Sequence, residues 1–203
     1  CHGTDLTIRE SHIKNMFENA EREGVDQGRK RLLHLIKREA NTKVWIKGIS
    51  LQSFFRHESS LYDALYETCF KRANLDGNAP IRILLIDPEC EQARYRAYRE
   101  YLLHDPESPY TYEEFDKKEL WKTQRLVTDT NESIKVIQEL TEKLKQAGKE
   151  NCIETKLYKS APEAFILLTD QSVIVEQYHY GNIRTGVQTS GTQALCGKDI
   201  PQI

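Results

Sequence analysis

The chain has 203 residues, 38% of them hydrophobic and 30% charged, enough to bury one sizeable core without disulfides or metals and too apolar for a disordered chain. Its 29 basic and 31 acidic residues leave a formal net charge of −2, which gives no electrostatic footprint for duplex nucleic acid. No apolar run approaches the roughly 20 residues of a membrane span. The five cysteines, Cys1, Cys69, Cys90, Cys152 and Cys196, are odd in number and never spaced C-x-x-C, which points to a reducing, cytoplasmic setting.

Taken in order, residues 1–26 read as a polar N-terminal arm, with Ile8, Ile13 and Phe17 as its apolar points and with Gly24 and Gly28 on either side of its end. A helix is expected over 27–40, where Leu32, Leu33, Leu35, Ile36 and Ala40 form one broad apolar face. The run 43–50, KVWIKGIS, is the first strand, carried by Val44, Trp45, Ile46 and Ile49. Ser59 or Ser60 caps the next helix, in which Leu61, Leu65, Cys69 and Phe70 point one way. The loop 74–80, NLDGNAP, comes next.

The central stretch is 79–103. Ile81, Ile83, Leu84, Leu85 and Ile86 make a nearly unbroken branched apolar run, the pattern of a parallel strand covered on both faces. Asp87 then stands at a helix cap and Pro88 at the first helical position. Cys90, Ala93, Ala97 and Tyr101 recur at helical spacing as a narrow face suited to close packing.

Residues 104–149 read as a helical insertion. Thr111 and Glu114 have capping-box spacing before Phe115, Leu120 and Trp121. Asp129 and Glu132 offer a similar cap for a second helix bearing Ile134, Ile137, Leu140, Leu144 and Ala147. A strand over 152–158 places Ile153, Thr155 and Leu157 on one side, and Ala161 and Pro162 turn the chain. Residues 165–168 and 173–180 form a hairpin about Asp170, Gln171 and Ser172, and 182–198 reads as a loop. The fold class is therefore α/β: a mixed sheet with parallel core strands and an antiparallel C-terminal hairpin, flanked by helices, within a single domain 1–203 expected to belong to a longer chain.

In such a fold ligands bind beyond the carboxyl ends of parallel strands. The small polar residues the sequence places there are Gly48, Ser50 and Asp87; Arg94 offers a planar cation for an anionic group. His179, between Tyr178 and Tyr180, offers a titratable edge with stacking surface. The competing reading is that Asp87 only caps its helix and Arg94 stays in solvent. His2, His34, His57 and His104 have no metal-ligand spacing, and there is no P-loop or dinucleotide-binding glycine fingerprint, so neither metal nor cofactor is expected.

Three stretches, KVWIKGIS, LYDALYETCFKRANLDGNAPIRILLIDP and FILLTDQSVIVEQYHYG, together resemble the phospholipase D-like superfamily, closest to its degenerate single-copy members. The family motif is H-x-K-x4-D on a late hairpin, where His attacks phosphorus and Lys steadies the phosphate. Laid on this hairpin, Asp170 matches the Asp, while the His position falls on Glu163 and the Lys position on Phe165. A second pattern, His12-Ile13-Lys14 with Asn19, lies before the first strand. The resemblance implies a non-catalytic sensor or regulatory domain that binds a small anionic ligand or a partner domain through Gly48, Ser50, Asp87, Arg94, Asp170, His179 and Tyr180. A phosphodiester hydrolase with a rearranged site, and an interaction or homodimerisation module, stand as alternatives.

Overall fold

The computed structural model describes residues 30, 32–40, 43–56, 59–72 and 81–178. The arm 1–26 with its His12 pattern, the pair His179 and Tyr180, and the loop 182–198 lie outside the described residues.

Five strands form one sheet: β1 (Val44–Gly48), β2 (Ile81–Ile86), β3 (Ile153–Tyr158), β4 (Ala164–Leu168) and β5 (Val173–Gln177), in the order β3-β2-β1-β4-β5. β1 and β2 pair in parallel with Val44 opposite Ile81 and Gly48 opposite Leu85. β2 and β3 pair in parallel with Ile81 opposite Ile153 and Ile86 opposite Tyr158. β4 runs antiparallel to both β1 and β5. The expected mixed sheet is thus present, with a third parallel strand at its edge.

Helix α1 (Ser60–Arg72) makes the crossover from β1 to β2. It starts where Ser59 Oγ accepts the Tyr62 N–H at 3.0 Å, a serine cap of the expected kind. Three helices, α2 (Glu91–His104), α3 (Tyr112–Lys117) and α4 (Arg125–Gln146), make the second crossover, from β2 to β3. The capping box of α3 is complete: Thr111 Oγ1 accepts from Glu114 N at 3.3 Å, and the Glu114 carboxylate accepts from Thr111 N at 3.1 Å. Ahead of β1, the expected helix ends in a π-helical turn, Leu35–Glu39, closed by a bond from Ala40 N to Leu35 O.

Alternation along the strands sorts side chains between two faces. Val44, Ile46, Ile81, Ile83, Leu85, Phe165, Leu167 and Ile174 fill the main core under Leu61 and Leu65 of α1 and Val136, Ile137, Leu140 and Leu144 of α4. A second core at the carboxyl end joins Ile86, Cys90, Ala93, Ala97, Phe115, Trp121, Leu126 and Val127. Ala93 and Ala97 are fully buried, so the narrow face of α2 serves close packing.

Four expectations need correction. β2 is not covered on both faces: Arg82 and Leu84 are only half-buried, because the second core reaches no further than Ile86. Helix α2 does not begin at Pro88. Asp87 Oδ1 accepts the Glu89 N–H at 3.0 Å and Asp87 O accepts Cys90 N, so 87–90 is a turn, and the helix is capped by Cys90 Sγ, which accepts Ala93 N at 3.4 Å. Asp129 caps no helix. It lies one turn inside α4, where it accepts from Gln52 Nε2 at 3.0 Å and pairs with Arg125. Phe70 turns away from Leu61, Leu65 and Cys69 and lies partly exposed against Tyr66, ring centroids 4.8 Å apart.

Candidate functional site at the carboxyl edge of the sheet

The three parallel strands end side by side at Gly48, Ile86 and Tyr158. Hydrogen bonds tie these ends together. Tyr158 Oη donates to Gly48 O at 3.3 Å. Asp87 N donates to Tyr158 O at 2.8 Å, which carries the parallel ladder one residue past β2. Lys47 Nζ stands 5.3 Å from the centre of the Tyr158 ring, and Lys159 Nζ lies 3.7 Å from Asp87 Oδ2. The Lys159 side chain is 78% exposed, so this pair is loose and open to competition from another anion.

Gly48 is a packing necessity. A Cβ there would collide with Leu51 Cδ2, stand 2.9 Å from Leu51 Cγ and lie 3.5 Å from the Tyr178 hydroxyl. Leu51 is buried, its φ is +51°, and its carbonyl accepts from both Phe54 N and Phe55 N, so it has little room to move. Tyr178 closes the edge from the β5 side, where its N–H donates to Glu163 O at 2.7 Å. Burial pushes its phenol well above the ordinary tyrosine range, against the lowering effect of a hydrogen bond from the Ile49 backbone. Ser50 is half-buried just past β1 on the same edge.

Two of the sequence-derived residues are placed elsewhere. Arg94 Nη1 forks onto Asp116 at 2.8 and 3.1 Å, and its guanidinium sits 5.6 Å from the Trp121 ring. Its charge is committed to the joint between α2 and α3. Asp170 lies at the opposite, amino edge of the sheet. β4 runs antiparallel to β1, so the turn after it comes back beside the start of β1, where Lys43 N donates to Asp170 Oδ2 at 3.4 Å. Glu163 is exposed ahead of β4, whereas Phe165 is core, its ring 6.0 Å from that of Phe54.

The structure therefore joins Gly48, Ser50 and Asp87 at one edge, and sets Arg94 and Asp170 apart from them. It adds Lys47, Tyr158, Lys159 and Tyr178, which the sequence pattern alone did not assign to the site. The signal for two of them was present: a third parallel strand ending at Tyr158 puts Tyr158 and Lys159 on the same edge as Asp87. Chemically the edge offers two lysines, two phenols and strand-end backbone around the Asp87 carboxylate, a set suited to holding an anion. Among the described residues no cluster of three or more His, Cys, Asp or Glu side chains is poised for a metal, and no helix is long and apolar enough to cross a membrane. The fold and this edge define an α/β protein with a five-stranded mixed sheet. No protein-family model, curated protein or solved structure matches the chain.

Proposed function

We propose that this chain is a non-catalytic phospholipase D-like module that recognises a small anionic ligand at the carboxyl edge of its parallel strands. The observation that carries this reading is the hairpin. The position that would need a neutral imidazole holds the exposed carboxylate Glu163. The position that would need a cation holds Phe165, packed on Phe54 in the main core. A carboxylate there cannot take the place of a neutral imidazole attacking phosphorus, and a core phenyl ring supplies no charge to a phosphate. Asp170, the remaining match, faces the backbone of Lys43 at the far edge of the sheet.

Recognition rests on Lys159, beside Asp87, and Lys47, beside the Tyr158 ring, at the ends of three strands. An arriving anion takes over Lys159 from a long, exposed ion pair at little cost. The test is a titration of the protein with inorganic phosphate followed by backbone amide NMR. Saturable shifts grouped at 48–50, 87–89 and 158–159, weakened in a Lys47→Ala/Lys159→Ala variant, support the reading. Shifts spread evenly over surface lysines refute it.

A further inference from the structure

Two cysteines meet in the main core, away from the carboxyl edge of the sheet. Cys69, on α1, is fully buried, and Cys152, the residue before β3, is 3% exposed. The Cys152 thiol donates to Cys69 O at 3.8 Å, which brings the two cysteines into contact. Neither is in a disulfide. The meeting is fixed by the fold: Cys152 O accepts Ile81 N at 3.1 Å, which pins the start of β3 to β2 beneath α1.

The two thiols are not equivalent. A surface cleft of about 230 Å³ is lined by Cys152 together with Lys145, Lys149 and Glu150, while Cys69 does not border it. Burial pushes both thiols up; a hydrogen bond with Cys69 and, after it, the charge of Lys149 draw that of Cys152 back down, whereas for Cys69 burial and its neighbour Cys152 act upward against only a backbone hydrogen bond. Access and charge therefore favour Cys152 as the sulfur that reacts first.

We infer that Cys152 and Cys69 form a dithiol modification site that exchanges with a low-molecular-weight anionic disulfide entering by the Lys145–Lys149 cleft. In the first exchange the Cys152 thiol loses its proton and its sulfur attacks one sulfur of the small disulfide. The small S–S bond breaks, one small thiolate leaves and takes up that proton, and Cys152 carries a mixed disulfide. In the second exchange the Cys69 thiol loses its proton and its sulfur attacks Cys152 Sγ. The mixed disulfide breaks, the second small thiolate leaves and is protonated, and the protein holds a Cys69–Cys152 bond. The protein dithiol is oxidised by two electrons and the small disulfide is reduced to two thiols. The bond then ties α1 to the β2–β3 edge and closes a long loop, so the oxidised protein melts at a higher temperature.

The experiment uses oxidised glutathione as the probe on the chain carrying Cys1→Ser, Cys90→Ser and Cys196→Ser. Serine at 90 keeps an oxygen in the helix-capping position. Intact mass and non-reducing peptide maps are followed over time without denaturant, with circular dichroism reporting the fold. The expected course is a transient glutathione adduct on Cys152, then a Cys69–Cys152 cross-link that dithiothreitol reverses. Adding Cys69→Ser makes the Cys152 adduct persist; adding Cys152→Ser leaves Cys69 unmodified; Lys149→Glu slows the first step several-fold. If either cysteine variant fails to fold, the order of adduct and cross-link in the parent chain decides. The inference is overturned if Cys69 takes the adduct first, if both thiols stay free, or if the cross-link forms only in denaturant.

Discussion

Replacing Gly48 by Ala separates a packing role for this glycine from an open backbone presented to a ligand. Its φ is not in the left-handed region, so the effect is steric alone. The new methyl collides with Leu51 Cδ2 and stands 2.9 Å from Leu51 Cγ. Overpacking of this kind costs about 1–3 kcal/mol. Alanine recovers about 0.5–1 kcal/mol by restricting the unfolded chain. The net expectation is a loss of about 0–2.5 kcal/mol. Leu51→Ala alone should cost about 2–5 kcal/mol, because the side chain is buried. In that background Gly48→Ala meets no leucine and should be neutral or slightly stabilising, so the double-mutant cycle should show a coupling of about 1–3 kcal/mol, the overpacking cost itself. Urea unfolding of the four proteins at neutral pH measures it. Equal costs of Gly48→Ala in both backgrounds would refute the collision with Leu51 as the reason for glycine.

Leu85→Ala should cost about 2–5 kcal/mol in chemical denaturation, since Leu85 is fully buried, and Leu84→Ala about 1–2 kcal/mol, since its face of β2 is half open; equal losses would mean the second face is covered. The phenol of Tyr178 is raised in the folded state, so its contribution is fully present below the ordinary tyrosine value and is lost as pH rises above it. Denaturation between about pH 9 and 11 should show a steeper fall for the parent chain than for Tyr178→Phe, and parallel curves would count against a buried phenol. Glu154 is held below the ordinary glutamate range, first by its hydrogen bond from Lys156 and also by the charges of Lys156 and Arg82. Its contribution is present above the unfolded glutamate value and fades as pH falls through the folded one. Carboxyl NMR should show its midpoint rise in Lys156→Met, and an unchanged midpoint would remove Lys156 as the cause.

The sheet was legible because its strands carry local signatures. Branched apolar runs at 44–49 and 81–86 with a helix between them specify a parallel pair, which the register of Val44 on Ile81 bears out. The Asp170–Ser172 turn specifies the hairpin. Capping was legible at Ser59 and at Thr111 with Glu114, but not at Asp87 or Asp129. Asp87-Pro88 carries the composition of a helix start, yet the Asp side chain turns onto Glu89 N and delays the helix to Glu91. Asp129 has the spacing of a cap, yet Leu126 and Val127 are anchored in the second core, and that packing extends α4 back to Arg125. The placement of the candidate residues was legible where it followed strand direction, as Gly48, Ser50 and Asp87 share one edge. It was not legible where a partner distant in sequence decides a side chain's fate. Nothing near Arg94 in the chain announces Asp116, and nothing near Asp170 announces that an antiparallel β4 delivers it to the amino edge.

The most direct test of the proposed function combines hydrolysis and binding on one sample. The protein is incubated with bis(p-nitrophenyl) phosphate and p-nitrophenol release is followed by absorbance, while amide shifts are recorded against inorganic phosphate. The non-catalytic reading predicts no release above the buffer rate, together with saturable shifts at 48–50, 87–89 and 158–159. Release above background that is abolished by Asp170→Ala would contradict it and assign the hairpin to catalysis.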